Sequence, residues 1–139
     1  MARLAALVLA LAVPFAMGTS QASAQSPRAC PHAESDRDKI ALTLKSAATC
    51  KMAHDLMNAC RSNTSGDIEF AEIVIERCEG GFLPGLSTRA KQSYEQERQQ
   101  CRSRYAKSRG TMFVSFGATC EAGVAAKFAG EAARRSRGR

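Results

Sequence analysis

Six cysteines, at positions 30, 50, 60, 78, 101 and 120, constrain this 139-residue chain more than any other feature. All of them follow an N-terminal stretch that reads as an export leader. Arg3 supplies a short positive region, Leu4 to Met17 is an apolar run broken only by Pro14, and Ala22-Ser23-Ala24 is the small-x-small pattern a signal peptidase reads. The apolar run is shorter than the ~20 residues needed to span a bilayer. No cysteine follows the cleavage pattern, so a bacterial-type lipid anchor is not indicated. Residues 1–24 are therefore expected to be a cleaved signal peptide, leaving 115 residues, enough for one domain. No later segment reaches transmembrane length. An even number of cysteines in a short exported chain is expected to form a disulfide framework in an oxidising compartment, periplasmic or secreted.

Apolar residues recur at helical spacing along the rest of the chain. Gln25 to Ser35, with Pro27 and Pro31, reads as an extended lead-in. Asp36 to Ser62 reads as one helix, capped by Ser35 or Asp36, with Ile40, Leu44, Ala48, Cys50, Ala53, Met57 and Cys60 on its apolar face. Arg61 to Gly66 is a turn. Asp67 to Glu79 reads as a second helix. Its buried stripe is Ile68, Ala71, Ile75 and Cys78, widened by Phe70 and Val74, while Glu69, Glu72, Glu76 and Glu79 form an acidic stripe. Gly80-Gly81 is expected to stop it, and Phe82 to Leu86 links the two halves. Ser87 to Arg109 reads as a long third helix with Ala90, Tyr94, Cys101 and Tyr105 on its inner side. A fourth helix begins at Thr111, which can cap it, and carries Phe113, Phe116, Cys120, Val124 and Phe128 as its apolar stripe. The expected fold is all-α: a disulfide-stapled bundle of about four helices, paired as two helical hairpins, in a single domain over residues 36–133.

Helix geometry also orders the cysteines. Cys50 and Cys60 on one helix lie about 15 Å apart along its axis, whereas a disulfide needs Cα atoms within about 7 Å. They cannot pair. Cys50 lies about as far before the turn at Thr64-Ser65 as Cys78 lies after it, and Cys101 and Cys120 flank Gly110-Thr111 in the same way. The hairpins thus predict Cys50–Cys78 and Cys101–Cys120. Cys30 and Cys60 remain, and they can pair if the lead-in runs back along the first helix for about 30 Å.

The net charge of +7 is unevenly placed. Arg134, Arg135, Arg137 and Arg139 fall in the last six positions, 134–139, which read as a flexible basic tail. Within the domain, Lys91, Arg98, Arg102 and Arg109 mark the outer side of the third helix and form the candidate binding face. Tyr94 and Tyr105 belong to the apolar side, so no aromatics interleave the cations to stack bases, and nucleic acid is not an expected partner. Anionic envelope polymers or lipid head groups suit such a face better, through the basic helix and the Arg tail.

Little else carries chemistry. Arg61 to Glu72 resembles an EF-hand calcium loop at Asn63, Ser65, Gly66, Ile68 and Glu72, and the resemblance implies calcium binding. Arg61, however, stands where the first carboxylate normally coordinates, and a cation there removes a ligand and repels the ion. His54 follows Cys50 by four residues, a spacing that suits zinc on one helix face, but an exported chain oxidises such a thiol. No metal site and no cofactor are assigned. There is no Cys-x-x-Cys and no Gly-x-Ser-x-Gly, and the glutamate row sits on a solvated helix face. The chain is therefore expected to be a small non-enzymatic protein that acts on another protein, as an interaction or inhibitor-like module of the periplasm or cell envelope.

Overall fold

The helical segments settle into five α-helices rather than four. A computed structural model of the chain describes residues 29–138, so the expected signal peptide at 1–24 and the start of the lead-in lie outside the described residues. The elements are α1 (Arg37–Ser46), α2 (Cys50–Cys60), α3 (Asp67–Phe82) with a short 3-10 turn at Leu83–Gly85, α4 (Thr88–Tyr105) and α5 (Thr111–Arg137). No strand is present among the described residues.

The extra helix comes from a break inside the segment read as one helix. Ala47 and Thr49 adopt extended ψ values, and the Thr49 hydroxyl accepts the backbone N–H of Met52 at 3.1 Å, capping a new helix. A continuous helix from 36 to 62 would measure about 40 Å, while the 16 residues of α3 span only about 24 Å. The break lets both pieces bury against α3. Ile40, Ala41 and Leu44 of α1 and Ala53, Leu56, Met57 and Cys60 of α2 are all core residues.

Side-chain contacts give the helix directions. The Arg37 guanidinium donates to the Gly66 carbonyl at one end of α1, and the Lys45 carbonyl accepts from Arg77 Nη1 at the other, so α1 runs parallel to α3. Asp67 meets Ser115 and Phe82 meets Phe128, so α3 and α5 are also parallel. The hairpins make α2 and α4 antiparallel to them. The result is an up-and-down bundle in which α3 packs most extensively against α5.

All three expected disulfides are present: Cys30–Cys60, Cys50–Cys78 and Cys101–Cys120, with Cα separations of 4.7, 4.8 and 5.6 Å. The first forms for a different reason from the one expected. The lead-in does not retrace a long helix. Instead α1 reverses the chain beside α2 and brings Cys30 back to the end of α2.

Helix limits move for physical reasons. α3 runs through Gly80 and Gly81, which have open space where a Cβ would be. Two glycines cost about 1 kcal/mol each in a helix interior. Phe82 offsets this, buried against Tyr94 at 5.2 Å and Phe128 at 6.1 Å, since burying a Phe contributes about 2–3 kcal/mol. α4 ends at Tyr105, four residues before Arg109. Thr111 does not cap α5. Gly110, at φ 106°, precedes the helix, and no side chain caps it. α5 continues to Arg137, so Arg134, Arg135 and Arg137 of the expected flexible tail ride on its last turns.

The buried stripes are rotated from those expected. On α3 the core side is Phe70, Ala71, Ile73, Val74, Cys78 and Phe82, with Ile68 and Ile75 at its margin. On α5 it is Ser115, Thr119, Ala122, Ala125 and Phe128, whereas Phe113 and Phe116 are only half-buried. Small side chains let α5 lie close to α3. The two hydroxyls are satisfied, Ser115 donating to Asp67 at 2.6 Å and Thr119 to the Ser115 carbonyl at 2.9 Å.

Asp67 is fully buried. One carboxylate oxygen accepts from Ser62 N at 3.0 Å, and the other accepts from Asn63 N at 2.8 Å and from Ser115 Oγ. Both oxygens therefore face a backbone N–H. An asparagine amide in this position would set a donor against a donor. Asp67→Asn is expected to lower the unfolding free energy by about 2 kcal/mol or more, measured by urea unfolding of the oxidised protein. An unchanged midpoint would remove Asp67 from its central place in the fold.

Candidate functional site

The expected basic face does not survive packing as a one-sign surface. Arg98 Nε donates to Glu121 at 3.0 Å and its Nη1 donates to Glu79 at 3.2 Å, with Glu95 at 3.6 Å, leaving the side chain only 20% exposed. Arg102 pairs with the same Glu121 and with Glu95, and donates to Gln99. The Tyr94 hydroxyl donates to Glu79 at 2.7 Å, and burial together with that carboxylate pushes its pKa well above the ordinary value. Arg98 thus ties α3, α4 and α5 together through carboxylates of all three. Glu79, expected on a solvated stripe, is half-buried within this network. Lys91 and Arg109 remain exposed, Lys91 beside Glu76 and Glu79 in a shallow depression and Arg109 beyond the end of α4.

The calcium-like loop is also built differently. Asp67 turns inward, and the Arg37 guanidinium lies against Gly66 so closely that a Cβ there would sit 2.6 Å from Arg37 Nη1. Arg37 also stacks over the Phe70 ring at 4.3 Å and pairs with Glu69 at 3.8 Å. A second cation, beyond Arg61, therefore occupies the loop carbonyl. Glu72, the twelfth position of the resemblance, is exposed. Cys50 is committed to Cys78 and cannot serve with His54 as a zinc ligand. Among the described residues no group of three or more His, Cys, Asp or Glu is placed to hold a metal ion, and no helix is long and apolar enough to cross a membrane.

Packing creates a groove that the linear pattern does not mark. It has a volume of about 780 Å³ and runs between the start of α2, the end of α3 and the C-terminal half of α5, beside the Cys50–Cys78 bridge. Its floor is Gly123, Ala126, Ala129, Gly130 and Ala133, all from α5. Lys51, His54 and Asp55 line the α2 side, Arg77 the α3 side and Lys127 the α5 side. Lys51 pairs with Asp55, and Lys127 with Glu97 of α4. The lining side chains carry three cations against one carboxylate. Arg77 Nε is buried with no hydrogen-bond partner, the only such side-chain atom among the described residues. His54 lies across the open side of Gly123, where a Cβ would be 3.7 Å from its Nε2, and its nearest polar neighbour there is the Asn58 amide at 3.2 Å.

The signal for this groove was the small-residue spacing Gly123, Ala126, Gly130 and Ala133 along the C-terminal half of α5. It reads as low helix propensity until a neighbouring helix is seen to leave it uncovered. Comparison with protein-family models finds no match, and no similar chain is found among curated proteins or among solved structures.

Two outcomes follow from this geometry. Arg98→Ala leaves Glu121 with Arg102 alone and Glu79 with the Tyr94 hydroxyl alone, and is expected to lower stability by about 2 kcal/mol, whereas Lys91→Ala and Arg109→Ala change it by less than about 0.5 kcal/mol. Chemical denaturation distinguishes them, and equal effects would contradict the network. Burial, partly countered by Asp55, lowers the His54 pKa below its ordinary 6.5. The unfolded chain then takes up a proton before the native state does, so stability falls as pH drops through 6.5. His54→Gln should flatten that part of the profile, read from thermal melts between about pH 7.5 and 5.5.

Proposed function

We propose that this protein is an exported, non-enzymatic interaction module that seats one segment of a partner protein in the groove between α2 and α5. The groove carries the reading. Its floor consists of residues with almost no side chain, which allows the backbone of a partner helix to approach closely, the helix-in-groove mode of recognition. The excess of cations in its walls, Arg77 above all, favours a segment with small apolar residues on one face and carboxylates beside them. His54 has an amide beside it, not a nucleophile, which supports a binding role over catalysis. Occupying a partner segment is also how an inhibitor-like module acts.

Export is supported by the leader pattern at 1–24 and by the pairing of all six cysteines, because such bridges persist in oxidising compartments and are reduced in the cytosol.

Site-specific photo-crosslinking in the producing cell tests the reading. A benzophenone side chain at Ala133, in the groove, is expected to capture one discrete protein, and the adduct is expected to disappear in an Arg77→Glu background. The same probe at Leu42, exposed on α1 away from the groove, is expected to capture nothing discrete. Equal capture from both positions, or none from Ala133, overturns the proposal.

A further inference from the structure

The groove lies along the C-terminal half of α5, and a second surface of different chemistry lies at the N-terminal end of the same helix, where α4 turns into α5. Tyr105, Phe113 and Phe116 form an aromatic cluster there, with ring centroids 5.9 to 6.4 Å apart. All three are only half-buried. Met112 and Val114 beside them are 44% and 48% exposed, two of the three large apolar side chains that stand out in solvent among the described residues. Val114 shares an open crevice with Tyr105, Ile68 and the stem of Arg102.

Cations surround this apolar tip. No acidic residue occurs between Glu97 and Glu121, while Arg98, Arg102, Arg104, Lys107 and Arg109 all fall in that interval. Arg98 and Arg102 are held by Glu79, Glu95 and Glu121. Arg104, Lys107 and Arg109 are exposed. The C-terminal dipole of α4 accounts for about half of one elementary charge, so three clustered cations exceed what helix stabilisation requires. The start of α5 points the same way. It carries no side-chain cap, and of its first turn Phe113 N donates to the Gly110 carbonyl at 3.2 Å, so the positive end of its dipole is left to Thr111 and Met112.

We infer that the α4–α5 tip is a lipid-interface site that docks the protein onto membrane surfaces rich in anionic phospholipid. Arg104, Lys107 and Arg109 engage the phosphates. Met112, Val114 and the edges of the aromatic cluster enter the boundary between head groups and acyl chains. Basic and aromatic side chains with exposed aliphatic ones are the chemistry that holds peripheral proteins at such an interface. A soluble polyanion would satisfy the cations but would leave the apolar residues in water. This site differs from the sequence expectation of docking through the outer side of the third helix and the Arg tail. It places the docking end and the groove at opposite ends of α5, so a surface-bound molecule keeps the groove clear, and it stands whether or not the groove reading holds.

Vesicle co-sedimentation of the oxidised protein as secreted is the test. Binding is expected to phosphatidylethanolamine vesicles containing phosphatidylglycerol and not to pure phosphatidylcholine. Combined Arg104→Glu, Lys107→Glu and Arg109→Glu is expected to reduce partitioning roughly a hundredfold, since each cation near an anionic surface contributes about a factor of five. Met112→Ser with Val114→Ser is expected to reduce it roughly tenfold. Arg134→Glu, Arg135→Glu and Arg137→Glu together, at the far end of α5, are expected to change it less than about threefold. Circular dichroism confirms that each variant remains folded. Equal binding to neutral vesicles overturns the inference, as does an equal loss in the far-end variant. Undiminished binding by the Met112/Val114 variant, with equal retention on polyglutamate beads, would assign the tip to polyanions in general and overturn it as a lipid site.

Discussion

The carboxylate of Asp67 is the constraint on which the bundle depends. It stands at the first turn of α3, fully buried, and holds the turn from α2 through Ser62 and Asn63. Through Ser115 it also holds α5, a helix 48 residues away in sequence. A buried polar group is tolerable only when its partners are in place. That requirement fixes α5 against α3 in one register, with Ser115 inward and Phe113 and Phe116 turned aside. The small residues that follow Ser115 on this side keep the helices close enough for the contact to form.

The placement of α5 explains the rest of the surface. With Ser115, Thr119, Ala122 and Ala125 against α3, Glu121 falls beside α4 and meets Arg98 and Arg102. Those cations then join neighbouring helices, Arg98 half-buried between them and Arg102 at the surface. The same rotation leaves the Gly123–Ala133 side partly uncovered next to α2, which makes the groove. It also leaves Phe113 and Phe116 at the margin, packed on Tyr105 and on each other, which makes the tip. Core, groove and tip are three consequences of one helix orientation.

Much of the fold was legible in the linear chain. Cysteine spacing together with helix rise predicted the Cys50–Cys78 and Cys101–Cys120 bridges and left Cys30 and Cys60 as the remaining pair, because two thiols ten residues apart on one helix cannot meet and a hairpin brings others level. What was not legible has identifiable causes. Ile40, Leu44 and Ala48 continue the period of the next segment, so nothing in the period marks the break at Ala47–Thr49; the Thr49 cap does. Gly80-Gly81 carries a stop signal that Phe82 overrides by burial. Periodicity weighted by hydrophobicity places Phe113 and Phe116 in the core, since it cannot anticipate that a serine and a threonine satisfied by Asp67 and a backbone carbonyl will take their place. The candidate face gains internal partners that the linear chain did not show. Charge counted along one helix ignores the carboxylates that other helices bring to it.

The sequence by itself determined the class of fold and most of the disulfide framework, because these rest on local quantities: helical period and cysteine number and spacing. Tertiary structure alone decided which side of each helix is buried, which charges are spent internally, and where surface is left open. Those outcomes depend on pairs of residues far apart in sequence, such as Asp67 with Ser115 and Arg98 with Glu121, and on how closely small side chains allow α3 and α5 to approach. No one-dimensional pattern encodes such pairings, which is why the groove and the tip come into view only when the helices are packed.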